Sequence, residues 1–175
     1  MVNLNDVRMK KMVQLSKVKI GDRVLDLGCG NKKLRKFLPK VHYIGVDIKG
    51  KPDIKHNLEK GLPKKIYDEK FNIIFMGEFL EHIENFKSLL KECREILFDE
   101  GKIVISVPFA CRFNIRESKD HIHSFKITNI KNLASITGFK VTKKSGVFIH
   151  IPILGLNIPC SSTLYNDRMV FILEK

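Results

Sequence analysis

The segment Val24-Leu25-Asp26-Leu27-Gly28-Cys29-Gly30 constrains this chain more than any other. A nearly continuous apolar run ending on two closely spaced glycines reads as a buried parallel strand entering a tight turn. Glycine is needed there because the backbone must turn sharply and approach a ligand with no Cβ in the way. Similar units follow. Residues 31–38 read as a helix stopped before Pro39, residues 42–47 (HYIGVD) as a second strand, and Asp53-Ile54 as the start of a short third. Residues 71–76 (FNIIFM) are a strongly apolar strand, Glu78 to about Leu97 reads as a long helix, and residues 102–107 (KIVISV) form a strand halted by Pro108. Residues 128–137 are expected to be helical with Gly138 just past the end, and residues 139–142 and 169–173 to be closing strands.

Apolar strands alternating with helices imply an α/β fold, with a mostly parallel sheet covered on both faces. In such doubly wound sheets, ligands sit beyond the carboxyl ends of the strands, where the strand order reverses. That rule singles out Gly28 to Asn31, Asp47, Asn57, Met76 to Glu78, and Pro108-Phe109.

A length of 175 residues suits one domain. Leu4, Val7, Met12 and Leu15 among basic residues predict an amphipathic N-terminal helix within residues 1–22, ahead of a ligand-binding domain over 23–175. No apolar run approaches the roughly 18 residues of a membrane span, and the N-terminus lacks the apolar core of a signal peptide, so a cytoplasmic location is expected. Cys29, Cys93, Cys111 and Cys160 are scattered without a CxxC pair, which argues against structural zinc and for reduced thiols. The formal net charge is +13. Residues 1–40 carry eleven Lys or Arg against three Asp, a net of +8. Such a field attracts nucleic acid, a phosphorylated substrate or an anionic surface, although a Lys-rich solvated exterior has the same composition.

The glycine turn suits some nucleotides better than others. A dinucleotide site would use a G-x-G-x-x-G spacing to seat a pyrophosphate at a helix N-terminus. Here the third glycine position is Lys33, and no GxxxxGK[ST] loop occurs. Asp26 would repel a pyrophosphate, whereas it complements the ammonium of an amino-acid-bearing ligand. That choice of charge favours S-adenosylmethionine (SAM) over a nicotinamide dinucleotide. Asp47 ends the second strand about twenty residues after the glycines, where a carboxylate can accept the hydroxyls of a ribose. An Asp beyond a strand also serves as a turn former.

With these motifs in order, the sequence resembles the class I SAM-dependent methyltransferases from about Arg23 onward. VLDLGCGNKKL is similar to the family's first motif, YIGVDI to its ribose strand and PDIKHNLEKGLP to its adenine segment. FNIIFMGEFLEHI resembles the fourth strand with its helix, and GKIVISVPF the fifth strand. The resemblance implies a Rossmann-like, seven-stranded, mostly parallel sheet with an antiparallel hairpin at its C-terminal end. It further implies that Asp26, Gly28, Cys29 and Gly30 surround the methionine portion of SAM. Asp47 would hold the ribose, Ile48 the adenine face, Asn57 and the Leu58 amide the adenine edge, and Met76, Gly77 and Glu78 the sulfonium end. The chain departs from the family pattern at Lys32, a frequent third glycine, and at Asn57, often Asp.

Methyl transfer from a sulfonium is an in-line displacement whose leaving group is already activated, so the protein contributes mainly positioning. A base is needed only for an acceptor protonated at working pH. Glu78 is the first candidate to touch the methyl end or the acceptor, with a helix-starting Glu as the structural alternative. Glu81 and His82 would share its helical face, His82 more as a packed histidine than a base. His121 and His123, after the fifth strand, are further candidates to bind or deprotonate the acceptor. No metal is expected from Asp120, His121 and His123, which lack a fourth ligand. The apolar stretch from Gly146 to Cys160 suits a lid, a substrate wall or a dimer surface.

The reading is therefore a methyltransferase whose acceptor is a small molecule or RNA, in an unspecified oligomeric state. The missing N-P-P-[YF] motif after the fourth strand, where Met-Gly-Glu-Phe stands, counts against methylation of a base nitrogen. The alternative, supported by Lys32 and Asn57, is a non-catalytic nucleic-acid-binding module on a degenerate fold of the same type. A nicotinamide-dependent reductase fits neither Lys33 nor Asp26.

Overall fold

The computed structural model describes residues 3–108, 122–123, 125–151, 156–159 and 168–175. Helix α1 (Leu4–Ser16) comes first, followed by strands β1 (Arg23–Leu27), β2 (His42–Asp47), β3 (Ile54–Lys55) and β4 (Phe71–Gly77). Helix α2 (Phe86–Glu95), β5 (Leu97–Pro108), α3 (Ile127–Ile136) and β6 (Lys140–Gly146) follow. A short pair, β7 (Phe148–Ile151) and β8 (Leu156–Pro159), precedes the closing strand β9 (Arg168–Glu174).

Seven strands form one sheet in the order β3-β2-β1-β4-β5-β9-β6. β1 pairs in parallel with β2 and β4, β2 with β3, and β4 with β5. β9 runs antiparallel to both β5 and β6, so the expected C-terminal hairpin is present. β7 and β8 form a separate antiparallel pair. The strand order reverses at β1, which opens a crevice between the tips of β1 and β4.

The two faces are covered differently. Leu25, Leu27, Ile74, Met76, Ile103 and Ile105 pack under Leu89, Leu90 and Cys93 of α2 and Ile130, Leu133 and Ala134 of α3. Alternate residues Val24, Ile73, Phe75, Val104 and Ile172 face the other way, under Met9 and Met12 of α1 and Leu34. The N-terminal helix is thus part of the core.

Two expected helices are different elements. Residues 31–38 contain only a 3₁₀ turn at Lys33–Phe37. Lys32 is left-handed (φ 55°, ψ 37°), and Leu38 before Pro39 is extended (ψ 147°), so too few residues remain to nucleate an α-helix. The long helix from Glu78 to Leu97 is also absent. Glu78 leaves β4 with φ 54°, a 3₁₀ turn follows at Leu80–His82, Ile83 is extended, and α2 starts at Phe86. The Glu81 carbonyl accepts from the Ile122 and His123 amides (2.9 and 3.3 Å) instead of from its own helix. Leu97 already belongs to β5, opposite Phe71.

Candidate functional site

The glycine turn after β1 is tied to the end of β2. Gly28 (φ 74°) and Cys29 both donate to the Val46 carbonyl (2.9 and 3.3 Å), and Gly30 (φ 52°) donates to Asp47 Oδ2 (2.7 Å). Lys49 donates to the other oxygen, Oδ1 (2.8 Å). Three successive amides are therefore used within the protein, and no α-helix begins at this turn. A pyrophosphate cradle needs such amides to point at the ligand. The turn instead presents glycine Cα atoms and carries Asp47 at a fixed position beside them.

Lys32 holds the left-handed geometry that glycine adopts freely. An L-residue bears a cost of about 1–2 kcal/mol there, and the Lys32 ammonium is anchored to Asp53 at 2.7 Å.

A cleft of about 280 Å³ lies against this turn. Asp26, Gly28, Cys29, Gly30, Asn31, Lys33, Leu34 and Gly77 line it from the sheet side, and Asn5, Arg8, Met9 and Met12 from α1. Asp26 is 4% exposed, and its Oδ2 accepts the Tyr43 hydroxyl at 2.6 Å. Burial pushes its carboxyl up to about 7, against the pull of the Tyr43 bond and the nearby Arg8. Arg8 crosses over Gly77, where a Cβ would stand 2.8 Å from its Nη1, and donates from Nη1 to Ser106 Oγ at 2.9 Å. Its Nε is buried without a hydrogen-bond partner among the described residues. Burial draws the Arg8 guanidinium below its ordinary range, although Glu78 opposes that shift.

Sequence reasoning missed Arg8, yet a signal was present. Leu4, Arg8, Met12 and Leu15 fall at helical spacing, so the arginine interrupts the apolar stripe of α1. A cation on a core-facing stripe is costly unless it has a partner or a ligand.

The other candidate residues divide into those beside the cleft and those elsewhere. Gly77 lines it, whereas Met76 is fully buried in the core under α2 and α3 and does not. Cys29 is a packed thiol, its pKa pushed up to about 12 by burial. Ile48 is 49% exposed next to Asp47, an apolar surface free to meet a flat ring. Asn57 Oδ1 accepts from the Glu59 amide (3.0 Å) and caps the Leu58–Lys60 turn, while the Leu58 side chain is buried. Asn57 Oδ1 thus accepts one bond within the cap and keeps a second lone pair.

Glu78 does not start a helix. Its Oε2 accepts from Arg168 Nε of β9 at 2.5 Å, and its Oε1 is buried without a partner among the described residues. Glu81, not assigned its own role from sequence, is 1% exposed, with neither carboxyl oxygen partnered among the described residues. Burial first, and then Glu78, push it up to about 8. His82 is exposed. The His123 ring meets Phe86 edge-on at 4.8 Å and is half-buried, with Nε2 unpartnered among the described residues. His121, Asp120, Phe109, Cys111 and Cys160 lie outside the described residues, as does part of the stretch from Gly146 to Cys160. Among the described residues no group of three or more His, Cys, Asp or Glu is placed to hold a metal ion, and no helix is long and apolar enough to cross a membrane.

A family profile described as a methyltransferase domain matches residues 8–144. The ubiquinone biosynthesis O-methyltransferase of Pasteurella multocida (strain Pm70) is 30% identical over 128 residues, covering 59% of this chain and 53% of that protein. The (S)-coclaurine N-methyltransferase of Papaver somniferum is 31% identical over 110 residues, covering 53% of this chain and 31% of that protein. The chain spans about half the length of the ubiquinone-pathway relatives or less than that of the plant one. A SAM-dependent methyltransferase structure from Archaeoglobus fulgidus superimposes with a TM-score of 0.75 at 20% identity, covering 99% of this chain and 95% of that one, a likeness of fold.

Proposed function

Because the chain belongs to the methyltransferase-domain family, we propose that it transfers a methyl group from SAM to an acceptor bound at the tips of β4 and β5. The observation that carries this proposal is the pair of opposite charges lining one glycine-floored cleft, Asp26 on the sheet and Arg8 on α1. That pair complements an amino-acid zwitterion, with ammonium toward Asp26 and carboxylate toward Arg8.

The residues present fit such a ligand. Arg8 has a buried Nε with no partner among the described residues, which a carboxylate would satisfy. Asp47 keeps lone pairs beyond its two amide bonds and can accept ribose hydroxyls, each carboxylate oxygen having two. Ile48 offers an apolar face for the base. SAM, when bound, supplies an electrophilic methyl group on sulfur. What remains for the chain is orientation of the donor and exclusion of water, by Gly77, Arg8 and the left-handed Glu78 at the end of β4. Glu78 is committed to Arg168, which suits it to positioning rather than to taking a proton.

Calorimetry with SAM and with S-adenosylhomocysteine tests the proposal. Binding of both at micromolar strength, abolished or weakened by Arg8→Met, supports it. A chain that binds neither has lost its pocket, and the non-catalytic alternative would take its place.

A further inference from the structure

Of the eleven basic residues in residues 1–40, Lys10, Lys17, Lys33, Lys36 and Lys40 are exposed around α1 and the 3₁₀ turn packed beside it. Lys33 lines the cleft rim. Lys10 and Lys36 are exposed farther down, on α1 and on the 3₁₀ turn that packs beside it. Lys10 Nζ lies 5.7 Å from the Phe37 ring centroid, so the helix and the turn bring their cations to one surface. Lys40 and Lys17 are exposed near the opposite sheet edge, where the Lys40 carbonyl accepts the Gly21 amide just before β1. β1 has five residues, so the two ends of this row are separated by about 17 Å. The carboxylates of the same stretch offset only part of this charge: Asp26 is buried in the cleft, whereas Asp6, four residues before Lys10 on α1, and Asp22 face it, and eleven cations against three Asp leave a net of +8.

We propose that this row of cations is a binding track for single-stranded nucleic acid, which delivers one nucleotide to the acceptor position at the tips of β4 and β5. The proposal rests on the methyl-transfer reading for its acceptor, whereas the track itself is independent of it. A small phosphorylated acceptor would be met by cations gathered at the rim, and a row running the height of the sheet matches a chain of phosphates. An anionic membrane would favour several large apolar side chains among the cations, and of the exposed ones among the described residues only Ile20 neighbours the row, beside Lys17 and the Gly21–Lys40 bond. A single strand is required because a base stacked in a duplex is out of reach of groups acting on it.

The test uses the full chain and fluorescein-labelled U20 and dT20 oligonucleotides, with anisotropy read between 50 and 300 mM salt. At least one strand is expected to bind, with log K falling against log salt at a slope near −2 to −3, about three to four phosphates at roughly −0.7 each. The triple variant Lys10→Glu, Lys36→Glu, Lys40→Glu is expected to lose tenfold or more in strand affinity, while its melting temperature and its SAM affinity by calorimetry stay unchanged. No binding at 50 mM salt, a flat salt response, or full affinity in a folded triple variant overturns the track. Tighter binding to phosphatidylserine vesicles than to either strand overturns it in favour of a membrane surface. If strands bind and SAM does not, the track stands and the methyl-transfer reading fails.

Discussion

Gly30 donates its amide proton to Asp47 Oδ2 at 2.7 Å, so the turn after β1 and the carboxylate ending β2 form one hydrogen-bonded unit. A substitution at Asp47 therefore acts twice. Asp47→Ala is expected to weaken SAM binding by about 1.5–3 kcal/mol through lost bonds to the ribose. It should also lower the melting temperature, because the Gly30 and Lys49 amides lose their acceptor. Asp47→Asn keeps one carbonyl oxygen and should retain most of the stability but not the affinity. Calorimetry and thermal melts on both variants separate the two effects, and unchanged affinity in Asp47→Ala would show that the ribose lies elsewhere.

Much of the site was legible in sequence because strands and glycine turns announce themselves locally. An apolar run closed by two glycines, followed by another ending in Asp, places Asp26, Gly28, Gly30 and Asp47 without tertiary information. Arg8 was not placed, since its role depends on α1 docking over Gly77. Asn57 and Met76 were placed by analogy, and their side chains are respectively engaged in a turn cap and buried in the core. The break at Glu78 was illegible for a different reason. Residues from Glu78 onward have good helical propensity, and what diverts them is a long-range competitor, the amides of Ile122 and His123 taking the Glu81 carbonyl.

Gly77 leaves room for Arg8, and an added Cβ would meet the flexible end of that side chain at 2.8 Å. Gly77→Ala is thus expected to displace the guanidinium from the cleft with a small loss of stability, under about 1 kcal/mol. SAM affinity should fall about as far as in Arg8→Met. A Gly77→Ala protein that melts normally and binds SAM at full strength would remove Arg8 from the cofactor site.

Asp26, with its pKa near 7, makes cofactor binding depend on pH. An ammonium binds the ionised carboxyl, so affinity should rise with pH up to about 7 and level off above. Between pH 6 and pH 7.5 the gain is expected to be roughly five- to tenfold. In Asp26→Asn the affinity should be low and nearly independent of pH over the same range. Calorimetry at four pH values decides, and a wild-type affinity that is flat or falls with pH would refute the assigned contact.

Glu81 bears on stability in the ligand-free protein. Its folded pKa of about 8 stands above the ordinary 4.5, so between these values the folded state holds a proton that the unfolded chain has released. Stability must then fall as pH rises from about 5 to about 8, and level off once Glu81 is ionised in both states. Asp26 adds a fall of the same sign that ends near 7. A decrease in melting temperature of at least about 5 °C over that window is expected, taking about 2–4 °C per kcal/mol for a chain of this size. Glu81→Gln should remove the part of the decrease above pH 7. A wild-type curve that rises over the window would contradict the buried, unpartnered state of this carboxyl.

Arg8 and Met12 are carried on a helix, while the opposite cleft wall is stitched into the sheet by amide bonds. The pocket thus has one wall in the sheet and one on a helix packed against it. A ligand gripped between them must oppose any undocking of that helix, and by reciprocity anything that pulls on the helix from outside must loosen the ligand. Of the lysines on the flank, Lys10 lies on the helix and Lys33 and Lys36 on the 3₁₀ turn after the glycines, so a polymer lying along them would tie the two walls together beside the mouth.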